Sequence, residues 1–201
     1  MKRLIVFIFS VVLLSTAGRS QDFHLSQYDA AALNVNPALT GIFKGDYRIH
    51  GHYRTQWAAV ATKPFTTGLI SFDMKHRKKK NWGFGGQIAN FRAGAGGYNV
   101  VSVLPSASYK FAVDEKRHHM VSVGTQIGFF QKSINASSLT FASQYVKTNG
   151  GEFNTALSNG ENFANNGIFK LDINIGAMYY FSKPNNRINP FGGVTFYHIN
   201  R

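Results

Sequence analysis

The stretch that decides the fold is Phe169-Lys170-Leu171-Asp172-Ile173-Asn174-Ile175-Gly176-Ala177-Met178-Tyr179-Tyr180-Phe181. Phe169, Leu171, Ile173, Ile175, Ala177, Tyr179 and Phe181 alternate there with Lys170, Asp172, Asn174 and Gly176. Successive side chains of an extended chain point to opposite faces, so this pattern predicts a strand with one apolar and one polar side. Tyr47 to Trp57 repeats it, with Tyr47, Ile49, Gly51, Tyr53, Thr55 and Trp57 set against Arg48, His50, His52, Arg54 and Gln56. Both stretches are long enough for a tilted strand to cross a bilayer.

Working outward, Thr67 to His76 puts Gly68, Ile70, Phe72 and Met74 opposite Ser71, Asp73 and Lys75. Trp82 to Phe91 is glycine-rich and less regular. Val101, Val103, Ala107, Tyr109 and Phe111 oppose Ser102, Ser106, Ser108 and Lys110. His119 to Lys132 sets Val121, Val123, Thr125, Ile127 and Phe129 against Ser122, Gly124, Gln126 and Gly128. A seventh segment runs from about Ile188 to Ile199. Helical spacing is weak throughout, and only Ser26 to Leu33 predicts a short helix, ended by Asn36-Pro37.

Composition narrows the class. Of 201 residues, 44% are hydrophobic, 14% aromatic and 15% charged, which is too aromatic for a disordered polyelectrolyte. Cysteine is absent, which removes disulfides, thiolate metal sites and a cysteine nucleophile. No apolar run after the first 20 residues reaches the length of a membrane-spanning helix. At the start, Lys2-Arg3 and the apolar run Leu4 to Leu14 precede the small residues of Ser15 to Ser20. That order is a secretory signal, expected at 1–20, with Gly18 and Ser20 at the −3 and −1 positions of a cut before Gln21. The 22 Lys plus Arg, less Lys2, Arg3 and Arg19, stand against nine acids, so the mature chain keeps about +10.

Alternation alone also fits a soluble sandwich. Small uncharged residues on the polar faces, aromatics near strand ends and connections of unequal length favour a barrel. Joins near 77–81, 114–118 and 183–187 read as tight periplasmic turns. Those near 59–66, 92–97 and 134–168 read as external, the last as a long recognition loop. The expectation is an all-β, antiparallel up-and-down transmembrane β-barrel of about seven strands over 46–201, in the outer membrane. Residues 21–45 form an N-terminal periplasmic or plug-like segment, either filling the lumen or resting beneath it. Seven is an odd count, and an open edge in lipid leaves backbone groups unpaired, so the barrel is expected to be incomplete: longer in life or closed by a partner.

Gln21-Asp22-Phe23-His24-Leu25-Ser26-Gln27-Tyr28, then Leu33-Asn34-Val35-Asn36-Pro37-Ala38-Leu39-Thr40-Gly41, resembles the mature N-terminus of the PorP/SprF family. Gly45-Asp46-Tyr47-Arg48 and Tyr53-Arg54-Thr55-Gln56-Trp57 continue the likeness, and Phe191-Gly192-Gly193-Val194 with His198-Ile199-Asn200 echo it later. Members are outer-membrane proteins of Bacteroidota associated with the type IX secretion system and, in gliding species, with surface adhesins. The resemblance implies a non-enzymatic barrel that aids secretion or cell-surface attachment of cargo. It implies as partners secreted or adhesin cargo and other secretion components. It also implies that this chain matches the family's N-terminal two-thirds. The alternative is a passive porin-like channel with a basic lumen.

Candidate sites are few. Arg48, His50, His52 and Arg54 share one side of the first strand at about 7 Å spacing. They are expected to be a lumenal basic cluster partly neutralised by Asp73 or Asp172, because flanking guanidinium groups repel a metal cation. His118-His119 falls in a tight turn, where neighbours point apart. Arg77-Lys78-Lys79-Lys80 reads as a solvated turn or, more sharply, as a docking patch for an acidic periplasmic partner. Gly83, Gly85, Gly86, Gly94, Gly96 and Gly97 lack the helix and Lys-Ser/Thr of a phosphate loop and read as closely packed strand and loop glycines. Asn135-Ala136-Ser137 is a chance sequon, and no local Ser-His-acid signature occurs. No catalytic, cofactor or metal residue is expected, and outer-membrane lipid rather than nucleic acid is the expected non-protein contact.

Overall fold

The structure, a computed structural model, describes residues 25–61, 63–79, 81–94, 96–135, 139–147, 150–160, 167–184 and 186–200. The expected signal at 1–20, the segment Gln21 to His24, Lys80 and the sequon residues Ala136 and Ser137 lie outside them. The main strands are β1 (Tyr47–Gln56), β2 (Phe65–Lys75), β3 (Trp82–Ala93), β4 (Tyr98–Ala112), β5 (His119–Ser133), β8 (Gly167–Phe181) and β9 (Phe191–Phe196). They form one antiparallel sheet in the order β1-β2-β3-β4-β5-β8-β9, curled into a half-barrel. Each strand therefore pairs with the next long strand in sequence, as an up-and-down meander requires. No helix among the described residues is long and apolar enough to cross a membrane, which leaves strand crossings untouched.

The period-two reading holds most clearly on β1 and β2. Along β1 exposure alternates at every residue. On β2, Thr67, Leu69, Ser71 and Asp73 are buried while Ile70, Phe72 and Met74 are exposed. The sheet is inside-out relative to a water-soluble domain. Gln126 and Asp73 are 0% and 1% exposed, whereas Ile49 and Tyr53 are 65% and 78% exposed. Ile173 lies on the outward side of the single main sheet and Tyr179 is exposed there, so the two-layered sandwich is excluded.

Three local expectations change. The helix read at Ser26 to Leu33 is instead a 3-10 turn Tyr28–Ala30, a helix α1 (Ala32–Val35) and a 3-10 turn Pro37–Leu39. Ala31 (φ −85°, ψ 65°) and the extended Asn36 interrupt it, and Pro37 starts a turn, where its missing N–H costs nothing. The 134–168 connection is not bare loop, because β6 (Tyr145–Val146) and β7 (Glu152–Phe153) pair as a small hairpin. Gln144 organises it, receiving the Phe141 N–H at 3.1 Å and donating to the Leu157 carbonyl at 2.9 Å. The β3–β4 join spans only 94–97, so the inequality of connections rests chiefly on the β5–β8 crossing.

Residues 25–41 pack inside the curl, with Leu25, Ala31 and Leu33 buried and Pro37–Leu39 against β4, β5 and β8. The sheet makes room with glycine. A β-carbon at Gly124 would collide with the Pro37 backbone, and one at Gly176 with the Asn36 side chain. Gly124→Val is expected to lift residues 36–38 off the sheet at a cost of about 1–3 kcal/mol. Limited proteolysis should then cut within 25–41 while the strands survive; an unchanged cleavage pattern and melting temperature would contradict this seat.

Candidate functional site

Strands β2, β3, β4, β5 and β8 bury polar side chains inward, and the N-terminal segment brings them a backbone to bind. A buried carbonyl left without a donor is costly, so each needs a partner. The Leu33 carbonyl accepts from Gln126 Nε2 at 2.9 Å. The Asn34 carbonyl accepts the Tyr197 hydroxyl at 2.8 Å, and the Val35 carbonyl accepts Thr195 Oγ1 at 3.3 Å and the same tyrosine. Ala38 O accepts Ser122 Oγ at 2.8 Å, Leu39 O accepts Arg48 Nη2 at 3.2 Å, and Thr40 O accepts Ser108 Oγ at 2.6 Å. The Thr40 hydroxyl also bonds Ser106 Oγ and donates to Pro37 O.

Asn36 ties the β8–β9 end of the sheet to this segment. Its Oδ1 accepts the Ala38 N–H at 2.8 Å, capping the Pro37–Leu39 turn, while Nδ2 donates to Ala177 O on β8 and Val194 O on β9 at 3.2 and 3.3 Å.

Two buried carboxylates frame the cradle. Asp73 accepts two bonds from Arg48, at 2.9 Å from Nε and 2.8 Å from Nη2, and the Gly41 N–H at 2.7 Å. Gly41 reaches it with φ +68°, a left-handed backbone that suits glycine. The Arg48 guanidinium also lies over the Phe43 ring at 4.8 Å. At the other side, Asp172 Oδ1 is 2.6 Å from His198 Nδ1. His198 also has positive φ (55°), and its N–H donates to Asn174 Oδ1 at 2.8 Å. These contacts hold the turn after β9 back against β8, alongside the Tyr197 bonds to the N-terminal segment.

Of the basic cluster read on β1, Arg48 joins this network and Asp73 neutralises it, while Asp172 faces His198 instead. His50 and His52 stack at 6.0 Å on the same side, and Arg54 continues the row. Arg77, Lys78 and Lys79 occupy the β2–β3 turn, where the His76 Nδ1 accepts the Lys78 and Lys79 N–H groups at 3.2 and 3.1 Å. His118 and His119 stand apart, against Phe181 edge-on and beside the Tyr179 hydroxyl at 2.7 Å, respectively. Among the described residues no three His, Cys, Asp or Glu side chains cluster for a metal. Sequence reading missed the Asn36 tether and the Asp172–His198 pair. The available signal was the alternate serines of β4 and β5, Ser106, Ser108 and Ser122, inward hydroxyls that need acceptors and find them on Ala38 and Thr40.

A half-barrel with exposed apolar staves and a polar interior defines a β-barrel class of membrane protein. The family model "Type IX secretion system membrane protein PorP/SprF" matches residues 17–189, and the chain belongs to that family. No curated protein and no solved structure matches the chain.

Two measurements probe the site. Asp73→Asn retains shape but loses the charge opposite Arg48, and a loss of about 3–5 kcal/mol is expected, read as a lower melting temperature in detergent. In the β4–β5 turn, Asp114 accepts N–H bonds from His119 at 2.7 Å and His118 at 3.1 Å. Desolvation pushes its carboxyl upward, but these bonds and the His119 charge together hold it below the usual carboxylate range. A lowered folded-state value means that the stabilisation is present above the unfolded value and lost as pH falls through the folded one. Exchange protection of the His118 and His119 amides should therefore drop in acid, below about pH 4. Asp114→Asn should abolish that dependence.

Proposed function

We propose that this chain is a non-enzymatic outer-membrane barrel component of type IX secretion that aids secretion or surface attachment of cargo proteins. The observation that carries the reading is a polar interior bonded to a segment of the chain's own N-terminus. Such an interior holds a polypeptide rather than leaving an open water path, and its side chains act as hydrogen-bond donors rather than as a nucleophile with its base. Residues 25–41 act as a plug. The β5–β8 connection, with its Gln144-braced hairpin, offers the external recognition surface.

In this orientation the tight turns face the periplasm, and Arg77, Lys78 and Lys79, with Lys80, form a docking patch for an acidic secretion component. The basic side chains of β1 serve to fasten the plug through Arg48 rather than to conduct anions. Membership of a secretion-system membrane family supports the whole assignment.

Deletion of the gene, with complementation by the full-length protein, tests it. Cargo is expected to stay unsecreted or unattached in the deletion, and affinity purification from the outer membrane is expected to recover cargo or secretion components. Charge reversal of Lys78 and Lys79 should weaken that recovery in a salt-dependent way. Normal cargo export together with steady anion conductance in planar bilayers would instead establish the porin reading.

A further inference from the structure

A hollow on the outward face of the sheet is lined almost wholly by apolar surface. Trp82, Tyr109, Val123, Ala177 and Val194 align in register across five strands, with Trp82 opening β3 beside the β2–β3 turn. The next row reads Phe84, Ala107, Thr125, Ile175 and Phe196. Small side chains at Ala107, Thr125 and Ala177 leave a trough of about 520 Å³ between a wall of Trp82 and Tyr109 and a wall of Ile175, Val194 and Phe196. The first wall is braced: the Trp82 ring centroid lies 5.0 Å from that of Tyr109 and 6.1 Å from that of Phe84, with which it stacks.

We propose that this trough seats an acyl chain of an anionic phospholipid from the leaflet at the tight-turn rim, with the phosphate against the cationic turns. The inference rests on the outward face being lipid-facing, as argued under the proposed function. Three features favour a lipid chain over a protein segment. The trough is continuous with exposed apolar side chains such as Ile88, Ile127 and Leu171. The hydroxyls in its lining are already committed, Thr125 to the Asn174 carbonyl at 3.1 Å and Ser108 to the Thr40 carbonyl at 2.6 Å, so an apolar occupant strands neither. Tryptophan and tyrosine on one wall mark headgroup depth, next to turns carrying Arg77, Lys78, Lys79, Lys116, Arg117 and Lys183 against Asp114 and Glu115.

The chain has two tryptophans, Trp57 and Trp82, so Trp57→Phe leaves Trp82 as the reporter inside the trough. The full-length protein is reconstituted in phosphatidylcholine vesicles containing a minor fraction of chain-brominated phosphatidylglycerol. Quenching of Trp82 is expected to exceed, by at least twofold, that from brominated phosphatidylcholine at the same fraction. Filling the trough with Ala107→Phe should remove that excess, with circular dichroism reporting that the sheet persists. Lys78→Glu with Lys79→Glu leaves the trough intact and should reduce the preference for the anionic lipid. Equal quenching by both brominated lipids, unaltered by Ala107→Phe, overturns the seat and leaves only general lipid contact. Absence of quenching even in wholly brominated vesicles overturns the lipid-facing reading itself.

Discussion

The N-terminal segment lies where water cannot reach much of its backbone, so its carbonyls must find donors in the sheet. That constraint explains the inner face more economically than any pairwise list. Ser108, Ser122, Gln126 and Thr195 come from three different strands, yet each ends on a carbonyl of a residue between Leu33 and Thr40. Each bond contributes only about 1 kcal/mol net, but a missing partner would cost about 1–3 kcal/mol. The set is consequently worth more as a whole than its members, and it determines where the segment sits as well as how firmly.

Charge completes what neutral bonds begin. Asp73 and Asp172 are both buried, on strands at opposite sides of the half-barrel, and a buried carboxylate persists only with a partner. Arg48 serves one through a two-point contact that also reaches the Leu39 carbonyl. His198 serves the other and draws the turn after β9 onto β8. The two ends of the described chain are thereby fastened to the same interior, which links the position of residues 25–41 to the geometry of both outer strands. Asn36 makes the same link with neutral groups, reaching β8 and β9 at once.

Local alternation carried much of this into view before any coordinates. On β1, β2 and β8 the alternate residues expected to face outward do so, and the inward set includes the expected Asp73, Asp172 and Asn174. β3 read poorly because its glycines hide the period; Gly83 and Gly85 are inward positions where the Thr40 carbonyl and the Asp73 side chain come too close for a β-carbon. The Ser26 to Leu33 stretch departs from a single helix for a related reason. The Leu33 carbonyl at its end, and those of Asn34 and Val35 just beyond, accept from Gln126, Tyr197 and Thr195, and helical propensity is too weak a preference over a few residues to prevail against such bonds.

Sequence by itself determined the period, the side of each strand that meets an apolar surrounding, the export signal as an expectation and the family likeness of Leu33 to Gly41. These are properties of adjacent residues, set by backbone geometry and side-chain polarity. Only the tertiary structure decided that Arg48 answers Asp73, that His198 answers Asp172, and that Asn36 bridges Ala177 and Val194. Those choices join residues far apart in the chain, and they depend on the curvature that brings separate strands around one buried backbone.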